Sequence, residues 1–141
     1  MEYIKSSKVP DERAQKAYEA GYYIEAIQTL HGFIENQARS FLMLVGCVHF
    51  NSKQKETWDL SDTLTLNNVL KALRILNQIS EKEFVQLKKF NALRNKIIHQ
   101  IYKEPYEKKY SGVPKKEYDE VFMESKNQVY FFTQKCEEIV G

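Results

Sequence analysis

Apolar side chains recur at intervals of three and four residues through almost the whole 141-residue chain. This spacing places them on one face of an α-helix, whereas the alternation typical of a half-buried strand is nearly absent. The chain also contains only five Gly and three Pro, which suits long helices better than a turn-rich β fold. The pattern therefore predicts an all-α fold, and the length predicts a single domain over residues 1–141.

Runs of apolar residues at helical spacing predict about five helices, over residues 11–20, 22–47, 64–78, 81–103 and 114–140. The polar segment 51–62 is predicted to be a loop. Ser80 and Glu83 form a capping-box pattern at the start of the fourth helix, and Pro105 follows its end. Pro114 suits the first turn of the last helix. Mostly antiparallel packing of these helices would give an up-and-down bundle.

The chain shows no sign of a secreted or membrane protein. Its first residues lack the apolar stretch of a signal peptide, and its longest apolar run, 41–50, is about half a membrane span. Cys47 and Cys136 lie far apart and belong to no CxxC pair, which favours small apolar residues in a reducing compartment over a disulfide or zinc site. We therefore expect a cytoplasmic protein with no membrane association.

Positive charge is concentrated in one part of the sequence. The net charge is +2, yet residues 82–116 contain ten Lys or Arg and three Glu, a local charge of +7. Such a stretch can attract a polyanion, and it can equally be the solvated face of a helix. Charge alone does not separate these alternatives.

The fourth predicted helix carries an arginine in an unusual place. On a helical wheel at about 100° per residue, one broad arc is apolar and comprises Leu87, Phe90, Leu93, Ile97, Ile98 and Ile101. Arg94 falls in the middle of this arc. Because a guanidinium keeps its charge and costs several kcal/mol to bury unpaired, Arg94 must either pair with a carboxylate such as Glu35 or line a polar cleft.

Hydrogen-bonding side chains lie along one edge of the same arc. They are Asn91, Asn95, His99 and Tyr102. A row of such groups beside a cation is a candidate anion site.

The order and spacing of Arg94, Asn95 and His99 resemble the motif of HEPN domains, in which an Arg, commonly followed by Asn, precedes a His by about four to six residues. The resemblance in helical architecture covers the whole chain, whereas the resemblance in sequence motif covers residues 94–99. It implies a small helical bundle that forms a two-fold homodimer, with both motifs facing one cleft.

The resemblance further implies a metal-independent endoribonuclease that needs no cofactor. The 2′-hydroxyl of RNA would be the nucleophile, and the products would carry 2′,3′-cyclic phosphate and 5′-hydroxyl ends. His99 would act as general acid or base, Arg94 would stabilise the phosphate, and Asn95 would orient either of them. Lys96, Tyr102 and Lys103 would contact the RNA, with packing at the dimer interface as the alternative for Tyr102.

Some HEPN proteins are toxins or defence components with an antitoxin or a nucleotidyltransferase partner, which adds AMP to a Tyr two residues after the His. Here that position is Ile101, and Tyr102 comes one residue later. This departure puts the modification and that partner in doubt.

Three further alternatives remain open from the sequence. One is a non-catalytic HEPN-type module that binds nucleotide, RNA or a protein. Another is a helical adaptor of tetratricopeptide character, suggested by residues 16–30, with Tyr22, Tyr23 and His31 exposed on a concave face. In the third, Arg94 is a structural residue that forms an ion pair with Glu35. A separate and simpler interpretation of Glu35 is a surface pair with Arg39, four residues later on the same helix.

Overall fold

A computed structural model describes residues 10–103 and 115–141, except for the side chains of residues 100–103. All regular elements in these ranges are helices, so the predicted all-α class is confirmed. In chain order, α1 to α7 are Pro10–Glu19, Tyr23–Phe50, Gln54–Ser61, Leu66–Ile75, Glu81–Lys103, Lys115–Gln128 and Phe131–Val140. Within the described ranges, no helix combines the length and apolar character needed to cross a membrane.

Local sequence signals set several of the helix ends. The capping box predicted for α5 is present: the Ser80 backbone N–H donates to Glu83 at 2.8 Å, and the Glu83 backbone N–H donates to the Ser80 hydroxyl at 3.1 Å. Helix α5 accordingly spans the residues predicted for it. Gly21, with φ of +89°, follows α1 and permits a left-handed turn before α2.

The segment 51–62 was wrongly predicted to be a loop, because it contains α3. The less exposed positions of α3 are Thr57, Trp58 and Ser61, of which Ser61 is buried. Since two of these three residues carry hydroxyl groups, they do not form the apolar stripe by which a helix is identified in a sequence.

The predicted single helix at 114–140 is also wrong. Helices α6 and α7 are separate, and Tyr130 between them has φ −106° and ψ 8°, outside the helical region. Neither Gly nor Pro occurs at the break, so the sequence has no local signal for it. The described ranges therefore contain more helices than the five predicted. Pro105 and Pro114, which served as sequence signals for the end of the fourth and the start of the fifth predicted helix, lie outside the described residues.

The chain divides into two compact units. Unit 1 comprises Met1–Gly32 and Phe90–Val129. The buried apolar residues described in unit 1 are Ala14, Ala26, Ile27, Leu30, Phe90, Ile97, Tyr118, Val121, Phe122 and Val129. Tyr18 joins this core by stacking on Phe122, with ring centroids 4.1 Å apart.

Unit 2 comprises Phe33–Lys89 and Tyr130–Gly141. Its buried apolar residues are Ile34, Ala38, Phe41, Val45, Leu66, Val69, Leu70, Leu73, Ile79, Leu87 and Phe132. Burying one large apolar side chain, such as a leucine or a phenylalanine, stabilises a fold by about 2 kcal/mol. Each unit therefore has its own source of stability.

Candidate functional site

Arg94 is held by two hydrogen bonds in unit 1. Its Nη1 donates to Oδ1 of Asn95 at 2.9 Å, and its Nη2 donates to Oε1 of Gln28, on α2, at 2.6 Å. The Arg94 side chain is half-buried, whereas Gln28 and Asn95 are exposed. The arginine that interrupts the apolar arc therefore reaches a polar, solvent-facing cluster, which we call the Arg94 cluster: Gln28, Arg94 and Asn95.

The acceptors in these two hydrogen bonds determine which groups of the Arg94 cluster remain available to a ligand. A guanidinium only donates hydrogen bonds, so each amide turns its oxygen toward Arg94 and leaves its NH2 group as a donor. The two bonds therefore hold the guanidinium in a fixed orientation through amide oxygens, which carry no formal charge. The Arg94 cluster is therefore rich in hydrogen-bond donors, as a phosphate-binding surface requires.

Gln28 was not among the residues predicted for a site. It is separated from Arg94 by more than sixty positions in the sequence and occupies an exposed position beside the buried Ile27. No local motif marks it, because its role depends on the packing of α2 against α5 within unit 1.

The carboxylate offered from the sequence as a partner for Arg94 has other partners in unit 2. Oε1 of Glu35 accepts a hydrogen bond from Arg39 at 3.2 Å, and Oε2 accepts from the backbone N–H of Leu66 at 2.9 Å. Arg39 also donates to the carbonyl of Leu64 at 2.7 Å. The predicted pair of Glu35 and Arg39 is present, but it anchors the start of α4 and is more than a surface pair.

Asn91, the first residue of the predicted polar edge, is buried. Its Oδ1 accepts a hydrogen bond from Nε2 of His31 at 2.8 Å, and the His31 ring packs against Phe90 with centroids 5.7 Å apart. Asn91 therefore belongs to the core of unit 1, and His31 is its buried partner there. A buried His31 also does not meet the requirement of the adaptor hypothesis for an exposed one.

His99 is exposed and lies four residues after Asn95, so these two residues share a face of α5. Arg94 and His99 are five residues apart, which separates them by roughly 140° around the helix and about 7.5 Å along it. Within one chain, the helix therefore directs the two predicted catalytic side chains to different faces.

Among the residues predicted to bind RNA, the structure describes the side chain of Lys96 but not those of Tyr102 and Lys103. Lys96 is exposed and its Nζ donates to Glu117 at 3.2 Å, so part of the expected positive charge is locally balanced. The side chains of Tyr102 and Lys103 lie outside the described residues, as do Lys108 and Lys109. Their predicted contacts with RNA stay predictions.

Lys115, at the end of the basic stretch, has a structural role in unit 1. Its Nζ donates to both oxygens of Asp119, at 3.0 and 3.2 Å, and lies over the rings of Tyr18 and Tyr23. The Tyr18 hydroxyl also donates to Asp119. This bond, together with Lys115, lowers the pKa of the Asp119 carboxyl, while burial raises the pKa of Tyr118 to about 12.

The described residues contain no group of three or more His, Cys, Asp or Glu side chains arranged to hold a metal ion. Cys47 and Cys136 carry free thiols and are half-buried. Burial raises the pKa of the Cys136 thiol, which makes it a weaker nucleophile.

Comparisons with models of protein families, with curated proteins and with solved structures found no match for this chain.

Proposed function

We propose that this chain is a metal-independent endoribonuclease of HEPN type. The observation that carries the proposal is the Arg94 guanidinium, held by the neutral amides of Gln28 and Asn95 on a helix that also carries the exposed His99. A positioned cation with surrounding donors suits the phosphate of a phosphodiester. An exposed imidazole can act as a general acid or base.

The reaction requires only groups found on RNA and on these residues. A base removes the proton of the 2′-hydroxyl, and the 2′-oxygen forms a bond to phosphorus. The bond from phosphorus to the 5′-oxygen breaks, and this oxygen takes up a proton. His99 serves proton transfer, and Arg94 stabilises the negative charge that builds on the phosphate oxygens.

A second copy of the chain completes the proposed site. Because Arg94 and His99 leave α5 on different faces, one chain does not readily present both to the same phosphate. Two copies related by a two-fold axis would bring Arg94 of one copy near His99 of the other. A toxin or defence role and a regulatory partner belong to the same proposal and rest on the resemblance of residues 94–99 to the HEPN motif. A cytoplasmic location is proposed separately, from the composition and the cysteine spacing.

The test is RNA cleavage in EDTA by the wild type, by His99→Ala and by His49→Ala. His49 is also exposed but lies in unit 2, so it is a matched control. We expect cyclic-phosphate ends from the wild type, a loss of about 100-fold or more for His99→Ala, and unchanged cleavage for His49→Ala. Equal cleavage by all three proteins, or cleavage that EDTA abolishes, would contradict the proposal.

A second candidate function follows from the same donors. Arg94 with the two amides can bind a phosphate without turnover, as in a non-catalytic module for RNA or nucleotide. Wild-type protein that binds RNA through Arg94 and leaves it intact would favour this alternative.

A further inference from the structure

Unit 2 contains an open cavity of about 690 Å³ that takes no part in the proposed function. Its walls come from the second half of α2, from α3 and from the segments that flank α3 and end α4. This volume falls within the range of about 300–1,000 Å³ that is typical of small-molecule sites.

The cavity owes its shape to a close approach of α2 and α3. Asn51, with φ of 55°, ends α2 in a left-handed turn, and the backbone N–H of Ser52 donates to the carbonyl of Gly46 at 3.0 Å. A Cβ atom at Gly46 would lie 3.2 Å from Thr57 Cγ2, which is tighter than ordinary contact. Glycine at position 46 therefore allows α3 to lie beside α2 and to form one wall of the cavity.

The lining combines an apolar wall with a polar edge. Leu42, Leu64 and Leu76 are half-buried, and Leu60 extends the apolar surface outward with 64% of its area exposed. The polar edge includes the hydroxyl groups of Ser52 and Thr63. The Thr63 hydroxyl donates to the carbonyl of Leu60 at 2.9 Å and can therefore only accept from a ligand, whereas the Ser52 hydroxyl can donate to one. A mainly apolar molecule would bury the leucines, and one hydrogen-bonding group on it would face the polar edge.

Charge at the rim decides between ionic and uncharged ligands. Lys53 and Glu56 both line the cavity, and both are exposed. Because their charges are opposite, the rim has no net charge to attract an anion or a cation.

We propose that this cavity binds an uncharged, mainly apolar small molecule that carries one hydrogen-bonding group. The site lies wholly in unit 2, whereas the Arg94 cluster lies in unit 1. The inference is therefore independent of the ribonuclease proposal, and either can fail without the other.

The test is a fluorescence titration of the full chain with Nile red, an uncharged apolar dye with a carbonyl acceptor. Leu60→Gln removes apolar surface from the cavity, whereas Val85→Gln removes an exposed aliphatic residue outside it. Thr63→Trp adds a large side chain at the polar edge. We expect saturable binding by the wild type, about fivefold weaker binding for Leu60→Gln, loss of binding for Thr63→Trp, and no change for Val85→Gln.

Three outcomes would overturn the inference. The first is the absence of saturable binding by the wild type, and the second is equal affinity in all four proteins. The third is tighter binding of the anionic dye anilinonaphthalene sulfonate than of Nile red, with the same dependence on residues 60 and 63. That result would assign the cavity to charged ligands.

Discussion

The two longest helices each carry a half-buried arginine, and the two arginines have different surroundings. Arg39, in unit 2, is bonded to the carboxylate of Glu35 and to the carbonyl of Leu64. Arg94, in unit 1, is bonded to the amide oxygens of Gln28 and Asn95.

The two arginines differ in the chemistry of these partners, which are a carboxylate and a backbone carbonyl for Arg39 and two side-chain amides for Arg94. A carboxylate compensates the charge of Arg39, and the other oxygen of the same carboxylate fixes the first turn of α4. Two neutral amides orient Arg94 and leave their own donors for a ligand. Arg39 therefore serves the fold, whereas our proposal makes Arg94 the residue that holds the phosphate.

Arg94→Lys tests whether the shape of the guanidinium matters beyond its charge. Lysine retains the charge but cannot bond to both amides in the same fixed geometry. We expect kcat/KM for RNA cleavage to fall by about 100-fold, with an unchanged midpoint of thermal unfolding. Arg13→Lys, at an exposed site in unit 1, is the control. Unchanged kcat/KM for Arg94→Lys would show that charge alone is sufficient.

Glu35→Gln gives Arg39 the amide partner that Arg94 has. The variant loses the charge pairing and weakens the bond to Leu66, so we expect about 2 kcal/mol less free energy of unfolding in urea. Asp59→Asn is the control, because Asp59 pairs with Lys55 at 3.8 Å on an exposed surface and such pairs contribute about 0.5 kcal/mol. Equal effects of the two substitutions would show that Arg39 and Glu35 form only a surface pair.

Gln28→Glu makes the converse change and gives Arg94 a carboxylate. A carboxylate at position 28 would compete with the phosphate for the guanidinium of Arg94, so we expect kcat/KM to fall about tenfold while the free energy of unfolding stays the same or rises slightly. Gln86→Glu, at an exposed position of α5, controls for the change in net charge. Equal losses in both variants would show that overall charge, rather than the charge of Arg94, governs the reaction.

Asp119→Asn tests a carboxylate of unit 1 that supports the fold. The lowered pKa of Asp119 means that its contribution to stability is present above the range of an unfolded carboxyl and is lost as pH falls through the folded pKa. Because solvent screens this partly exposed carboxyl, we expect the variant to lose only about 0.5 kcal/mol at neutral pH, and the two stability curves to converge below about pH 4. RNA cleavage per folded molecule should not change. Curves that stay parallel in acid would contradict this role.

The sequence predicted the parts of the fold that depend on local signals. The capping box of Ser80 and Glu83 indicated the start of α5, and Pro105 indicated its end. Helix α3 was missed because its inward face includes Thr57 and Ser61. The break near Tyr130 was missed because no helix-breaking residue marks it.

The candidate site was predictable only in part. The wheel placed Arg94 among apolar residues, and this alone indicated that it needs polar partners. It could not reveal Gln28, because that contact depends on tertiary packing. The wheel also placed Asn91 next to Arg94. In the structure, Asn91 instead accepts a hydrogen bond from His31 in the core of unit 1. The homodimer, the RNA substrate and the contacts of Tyr102 and Lys103 stay predictions.

The most direct measurement compares Arg94→Gln with Arg39→Gln on two readouts, the rate of RNA cleavage in EDTA and the free energy of unfolding in urea. Our account predicts that Arg94→Gln loses cleavage by about 100-fold or more and keeps its stability. It predicts that Arg39→Gln loses about 2 kcal/mol of stability and keeps its cleavage rate per folded molecule. If Arg94→Gln instead loses stability as Arg39→Gln does, and cleavage only in proportion to the unfolded fraction, then Arg94 is a structural residue and the central claim is wrong.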